Sequence, residues 1–382
     1  SLMTEGVLAG AGLVIAFVPV IGMMMLLITL LEGSGYMARA AFVMDKLMHT
    51  LGLHGKSFIP MLLGFGCNVP SIYATRILES ERDKRLTALL VPLMSCGARL
   101  PVYVVFIGVF FPDNAGTVLW SLYVLGIAMA ILLGILLKKT LYKGESPMFI
   151  MELPPYRIPT LRDLLIHTWQ KLRHFVVKAG TYIVMVSIIV WFMLNIPWGV
   201  ENKKDSLLGM IGQTVAPVFK PLGFGTWEAS SSLISGLIAK EIVVGTMAVI
   251  YVQGQEEEEE KPVSFLDDLQ ELGLSFLKAS KDAVLNVVSS LWVSSLSTEE
   301  TEDEQAKRSP LRDKLRDVFT PLSAYAFIVF VLLYWPCVVV GIATRQEFGT
   351  WRIYGQAILM HTTLAWVTAF LIYQGGRLLG LG

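Results

Sequence analysis

The stretch that decides the fold runs Gly64-Phe65-Gly66-Cys67-Asn68-Val69-Pro70, and it has a companion in Pro92-Leu93-Met94-Ser95-Cys96-Gly97-Ala98-Arg99-Leu100-Pro101. Each places a thiol, a helix breaker and small residues inside an otherwise apolar run. Broken backbone at membrane depth is tolerated only where protein or a water-filled cavity satisfies its polar groups. The two elements therefore predict discontinuous helices along a path for an ion, and their thiols bear on which ion.

Working outward, the surrounding chain reads as membrane. Of 382 residues, 54% are hydrophobic and 16% charged, against roughly 25% charged in a soluble domain. The apolar residues gather into runs of about 20, enough to cross a bilayer core as helix. Such runs are Gly6–Leu31, Phe58–Leu78, Leu86–Phe111, Thr117–Leu137, Val176–Ile196, Trp227–Val252, Pro321–Ala343 and Tyr354–Tyr373. Gly33–Met48 is a less apolar helix, Pro154–Lys178 a basic interfacial one, and Ser206–Phe219 an amphipathic surface one. The fold class is all-α: a polytopic bundle with broken or re-entrant helices. Lys+Arg and Asp+Glu balance at 31 each, so net charge gives no reason to expect nucleic acid. Three cysteines in three apolar segments do not form a disulfide framework. Ser1-Leu2-Met3 opens without the charged region of a signal peptide.

Five segments follow: a first membrane half (1–144), a basic segment (145–178), second-half membrane segments (179–252), an acidic water-exposed insertion (253–317) and C-terminal helices (318–382). The insertion carries Glu256–Glu260 and the tract Glu299–Glu304, a solvated composition. Basic residues crowd the loops at 76–85, 138–178 and 307–316, which places those loops in the cytoplasm. Lys46, Lys56 and Arg76 then put both flanks of Phe58–Leu78 on that side, favouring a re-entrant hairpin over a tilted span.

A proline in a helix leaves the carbonyl four residues earlier without its partner. For Pro70 that is Gly66, beside Cys67; for Pro101 it is Gly97, beside Cys96. Each break offers a thiol next to a carbonyl, and Asn68 and Ser95 add harder oxygens. Discontinuous transporter helices hold ions with such groups, and a thiol selects softer first-row metals over Mg²⁺ and Ca²⁺. The set suits Fe²⁺, Mn²⁺ or Zn²⁺. The plainer reading makes Cys67 and Cys96 small packing residues; two thiols at two breaks favour the metal. Cys337, after Pro336, reads equally as packing or ligand. Lys240-Glu241 lies near the middle of an apolar run, where charge is expensive and defaults to function. Glu241 reads as a carboxylate ligand or proton carrier, and Lys240 as counter-charge or interhelical tether. Arg99 is expected to be pinned by a carboxylate or by freed carbonyls, and His361 to be a hydrogen-bonded helix partner before a ligand. Gly52-Leu53-His54-Gly55-Lys56-Ser57 ends like a phosphate loop, but Thr50 stands where that loop needs glycine.

Glu32-Gly33-Ser34-Gly35-Tyr36-Met37-Ala38-Arg39-Ala40-Ala41-Phe42, the two Cys-Pro elements, Gly236-Leu237-Ile238-Ala239-Lys240-Glu241-Ile242-Val243-Val244-Gly245-Thr246 and Leu333-Tyr334-Trp335-Pro336-Cys337 closely resemble the membrane domain of the ferrous iron transport protein B family. The resemblance covers nearly the whole chain outside Val252–Asp317. It implies prokaryotic Fe²⁺ uptake across the cytoplasmic membrane and two Gate modules, one around Cys67–Pro101 and one around Lys240–Glu241. It also implies a GTP-binding domain and a helical regulatory domain upstream, a small cytosolic A component as partner, and a possible homo-oligomer in the lipid. This chain reads as the membrane domain alone, a transporter and not an enzyme. No cofactor is expected in it, since GTP and Mg²⁺ belong to the upstream domain. Metal ligands are then Cys67, Cys96, Asn68, Ser95, Gly66, Gly97, Glu241 and Cys337, with Pro70, Pro101, Arg99 and Lys240 shaping the gate. The other readings are carriage of nucleosides, since Gate modules resemble nucleoside-recognition segments, and a membrane enzyme or receptor, for which no nucleophile–base or HExxH pattern speaks.

Overall fold

The computed structural model describes residues 9–51, 53–142, 155–196, 203–237, 240, 242–252, 311–334 and 337–380. Every regular element among them is helical. In chain order these are α1 (Ala9–Gly33), α2 (Tyr36–Leu51), α3 (Phe58–Gly66), α4 (Asn68–Ala74), α5 (Glu81–Leu90), α6 (Leu100–Phe110), α7 (Ala115–Thr140) and α8 (Leu161–Phe175). Then come α9 (Thr181–Asn195), α10 (Leu207–Phe219), α11 (Trp227–Gly236), α12 (Ile242–Val252), α13 (Pro321–Leu333), α14 (Val338–Phe348) and α15 (Arg352–Leu378). Among the described residues four stretches are long and apolar enough to cross a bilayer: Glu81–Phe110, Pro112–Thr140, Pro321–Phe348 and Arg352–Leu378. Val18–Gly33 with Tyr36–Thr50 makes a fifth if counted as one span, bent by 77°. Gly35 makes that bend with φ of 78°, a left-handed angle glycine takes without a Cβ penalty.

The structure breaks more of the apolar runs than their sequences announce. Phe58–Leu78 becomes two helices of 9 and 7 residues, about 14 and 11 Å long, so neither crosses a core of about 30 Å. Ser71 on α4 donates to the Pro60 carbonyl on α3. In a straight helix those residues would lie about 16 Å apart, so α4 folds back along α3 as a hairpin. Trp227–Val252 is not one span either: α11 ends at Gly236 and α12 begins at Ile242. Pro321–Ala343 divides likewise into α13 and α14. The sequence reading of Trp227–Val252 as a continuous helix is corrected here, while Pro321–Phe348 taken whole remains long and apolar enough to cross.

An aromatic nucleus binds the two halves. Phe106 of α6 stacks on Phe327 of α13 with ring centroids 4.8 Å apart, and Phe224 and Phe319 meet the same ring edge-on. Residues 311–318 form a short helix whose Leu311 and Leu315 are buried in that core. The folded C-terminal part therefore starts about two turns before the boundary drawn at 317. The rest of the acidic insertion lies outside the described residues. α10 is only half a surface helix. Its Gly209, Gly212 and Ala216 are buried while Met210 and Val218 stay exposed, small residues being what lets two helices approach closely. α8 keeps Leu164 inside and leaves Leu165, Ile166 and Trp169 exposed. That suits an interfacial helix, and a Lys171–Glu32 pair at 2.6 Å ties it to the end of α1.

Candidate ion path at the helix breaks

The first break is set by one residue. Cys67 has φ −151° and ψ 129°, extended backbone between two helices. Gly66 is the last residue of α3, and Pro70, four residues on, has no N–H to offer its carbonyl. Pro70 sits in the first turn of α4, where a proline is tolerated because that N–H would have no helical partner anyway. Pro101 is likewise in the first turn of α6. The prolines thus open second helices, as the expected discontinuous helices require.

The second break spans Met94–Cys96, between the turn Val91–Leu93 and the turn Gly97–Arg99. The fold brings the two breaks together. A β-carbon built on Gly97 would meet the Gly66 carbonyl oxygen at 3.6 Å and, apart from chain neighbours, no other described atom within 4 Å. One Cys-Pro element therefore approaches the other closely at Gly66 and Gly97. Cys67 and Cys96 are both half-buried. Asn68 is 5% exposed, and its Oδ1 has no hydrogen-bond partner among the described residues. A buried acceptor left so costs about 1–3 kcal/mol, which marks a place made for a donor or a cation.

Ser95 is held in place by a hydrogen bond. Its hydroxyl donates to Tyr103 Oη at 3.2 Å, and both residues are buried. Arg99 is fully buried; its guanidinium donates to the carbonyls of Pro92 at 2.7 Å and Met94 at 2.8 Å. It is held by backbone alone among the described residues, and it fixes the turn that presents Cys96.

The second half adds two more breaks. Cys337 precedes α14 and packs with Cys67 against the cluster of Val69, Ile72, Val91 and Val340. Val338 N–H donates to the Leu237 carbonyl at 3.2 Å, joining the break after α13 to the one after α11. Lys240 is 2% exposed and donates to the carbonyls of Val331 and Tyr334, each at 3.1 Å. Arg99, Cys96 and Cys337 all lie within electrostatic reach of its ammonium. Glu241 lies outside the described residues. His361, buried on α15, donates from Nε2 to the Leu89 carbonyl at 2.9 Å and so caps the end of α5.

Among the described residues no three His, Cys, Asp or Glu side chains converge as a closed metal cage. Donors at these breaks are thiols, amide oxygen and carbonyls. One further donor escaped the sequence reading: Met24 of α1, whose Sδ would lie 2.7 Å from a β-carbon on Gly66. Its only signal was the run Met23-Met24-Met25 inside an apolar helix. Outside the first break lies a cavity of about 720 Å³ lined by Met25, Met37, Val69, Pro70 and Tyr73, with Glu32, Lys171 and Arg76 at charged positions.

Comparison with known proteins agrees with this architecture. A family model described as "Ferrous iron transport protein B C terminus" matches residues 119–171. The Gate model, described as "Nucleoside recognition", matches residues 14–110 and 176–351, more than half the chain. The chain is 42% identical over 99% of its length to a Staphylococcus aureus protein named Fe(2+) transporter FeoB, covering 49% of that protein. It is 40% identical over 97% of its length to the protein of that name from Salmonella typhimurium, again covering 49%. A Porphyromonas gingivalis protein named as a fusion of Fe(2+) transport protein A and FeoB is 39% identical over 99% of this chain, which covers 44% of it. No solved structure matches. The chain spans about half the length of the curated relatives it matches. Two Gate-matching segments, the Cys-bearing breaks they contain and this identity along nearly the whole chain place it in the ferrous iron transport protein B family, as that family's membrane region.

Proposed function

We propose that this chain is a permease region moving Fe²⁺ across the prokaryotic cytoplasmic membrane into the cell, along a path formed by its broken helices. The observation that carries the reading is the meeting of the two Cys-Pro breaks: the Gly66 carbonyl faces Gly97 at close approach, with Asn68 Oδ1 buried and unpartnered among the described residues beside Cys67. Cys67, Cys96, Asn68 and the Gly66 carbonyl supply a mixed soft and hard donor set suited to a borderline divalent ion that must also leave. Such a set accepts Mn²⁺ and Zn²⁺ too, so selectivity for Fe²⁺ rests on the relatives' names. Arg99 holds the Cys96 turn in place and binds no ion.

The half of the relatives that this chain does not match leaves room for the GTP-binding domain that the reading couples to transport, with GTP and Mg²⁺ held there. The Porphyromonas fusion supports a small A component as a cytosolic partner of the basic loops.

Reconstituted in liposomes, the chain is expected to take up Fe²⁺, and Cys67→Ser and Cys96→Ser to slow it at least tenfold. Parent-like uptake by both variants sinks the thiol path. The printed description of the Gate model favours a second reading, nucleoside carriage. Uptake blocked by nucleosides and indifferent to divalent metals would select it.

A further inference from the structure

Two cations are buried among the breaks, and the fold treats them differently. Arg99 binds carbonyls five and seven residues upstream on its own segment. A planar guanidinium gripping two acceptors is a pre-organised fork, and it moves with the turn it binds. Lys240 instead reaches across the molecule, to carbonyls 91 and 94 residues away. Its ammonium also sits 4.4 Å from the centroid of the Tyr334 ring. No ion pair joins it to a carboxylate among the described residues.

The acceptors explain why a cation belongs there. Val331 lies in the last turn of α13, and Tyr334 caps it. A helix leaves its last carbonyls without internal partners and ends on a partial negative charge. Cys337, three residues beyond Tyr334 in the chain, is the N-cap of α14. Two carbonyls and an aromatic face converge on the ammonium. Covering the two carbonyls needs only N–H donors, which a neutral amide also supplies, so the hydrogen bonds alone do not call for a charge. Lys240 also stands in the break between α11 and α12, not inside a helix, on a flexible four-carbon stem.

We propose that the Lys240 ammonium occupies a cation site at the α13–α14 break and is displaced from it by the permeating divalent ion. The carbonyls of Val331 and Tyr334 are then a second stop on the path, closed at rest by a tethered cation. This rests on the reading that the breaks carry a divalent metal, but it concerns a site in the other half of the chain.

The test is anaerobic equilibrium binding of Fe²⁺ to the chain in lipid nanodiscs, with chromatographic monodispersity as the fold control. Lys240→Gln keeps N–H donors for the two carbonyls and removes the charge. It is expected to bind one more Fe²⁺ per chain than the parent, or to bind at least tenfold tighter. Adding Cys337→Ser should cancel that gain. A monodisperse Lys240→Gln chain with parent stoichiometry and affinity overturns the proposal. If the variant does not fold, the parent decides: reductive methylation of Lys240, read by mass spectrometry, should rise several-fold with Fe²⁺, and unchanged labelling overturns it. Failure here leaves the uptake phenotype of Cys67→Ser and Cys96→Ser untouched. Normal uptake by those variants instead sinks the thiol path and leaves the Lys240 count standing.

Discussion

Gly97→Ala separates a site from a packing contact. The added methyl carbon would lie 3.6 Å from the Gly66 carbonyl oxygen, an ordinary contact, and would touch no other described atom outside its chain neighbours. Gly97 lies in a 3₁₀ turn and is not among the left-handed glycines, so alanine meets no backbone strain. Folding stability should change little, or rise by about 0.4–1 kcal/mol through a less flexible unfolded chain. An ion in this gap is another matter. Metal–oxygen bonds to such ligands are roughly 2.1 Å. An ion on the Gly66 carbonyl, facing Gly97, would then be roughly 1.5 Å from the methyl carbon by difference, deep inside van der Waals contact. The variant should fold, keep its melting temperature and lose at least tenfold in liposomal Fe²⁺ uptake. Gly97→Ala protein that is as stable as the parent and transports as fast would refute the placement of the ion between the breaks.

Other outcomes follow from single contacts. Arg99→Met removes two charge-assisted hydrogen bonds and leaves two carbonyls bare, a loss of about 3–5 kcal/mol; thermal unfolding in detergent should show it, with Arg99→Lys recovering only part. Gly212→Ala brings a methyl within 2.1 Å of Ser231 Oγ and 2.9 Å of the Trp227 carbonyl. Backbone cannot yield as a side chain can, so a cost of about 1–3 kcal/mol should persist even with Ser231→Gly. His54, in the loop before α3, accepts from Lys56 N–H through Nδ1, and burial followed by the Lys56 charge holds its pKa below the usual 6.5. Its stabilisation is complete above the unfolded value and fades as pH falls through the lower folded one. Amide exchange at residues 53–57 should accelerate, beyond its intrinsic pH trend, between about pH 7.5 and 5, and His54→Asn should flatten the response.

How far the sequence carried depended on where the cause of each break lay. At Cys67 and Cys96 the cause is local: glycine and proline inside apolar runs, legible without a structure. After α11 there is no proline. That break accompanies the reach of Lys240 to carbonyls 91 and 94 residues later, and no window of sequence contains both partners. The helix at 311–318 was hidden by its charges, Arg312, Asp313, Lys314, Arg316 and Asp317. Yet Leu311, Leu315 and Phe319 recur every fourth residue, a buried stripe that the periodicity of a helix would have exposed. The bond from Ser95 to the buried Tyr103 joins residues eight apart, a partnership no motif around Cys96 announced.

The two halves also reveal why breaks can sit at membrane depth at all. Each leaves carbonyls that lipid cannot satisfy. In the first half Arg99 covers Pro92 and Met94; in the second Lys240 covers Val331 and Tyr334. A buried cation on backbone oxygen is thus used twice, with opposite consequences. The guanidinium fork is always charged and grips two acceptors on its own segment, so releasing it would cost both bonds and strand the charge. The lysine is a point charge on a long stem, bound to another element, and an arriving cation can take over its acceptors one at a time. If displacement is its role, Lys240→Arg should fold well yet slow Fe²⁺ uptake, because a fork bound to both carbonyls yields less readily than an ammonium. Uptake by Lys240→Arg at the parent rate would mean that the charge alone matters at this position and that its release is not a step in transport.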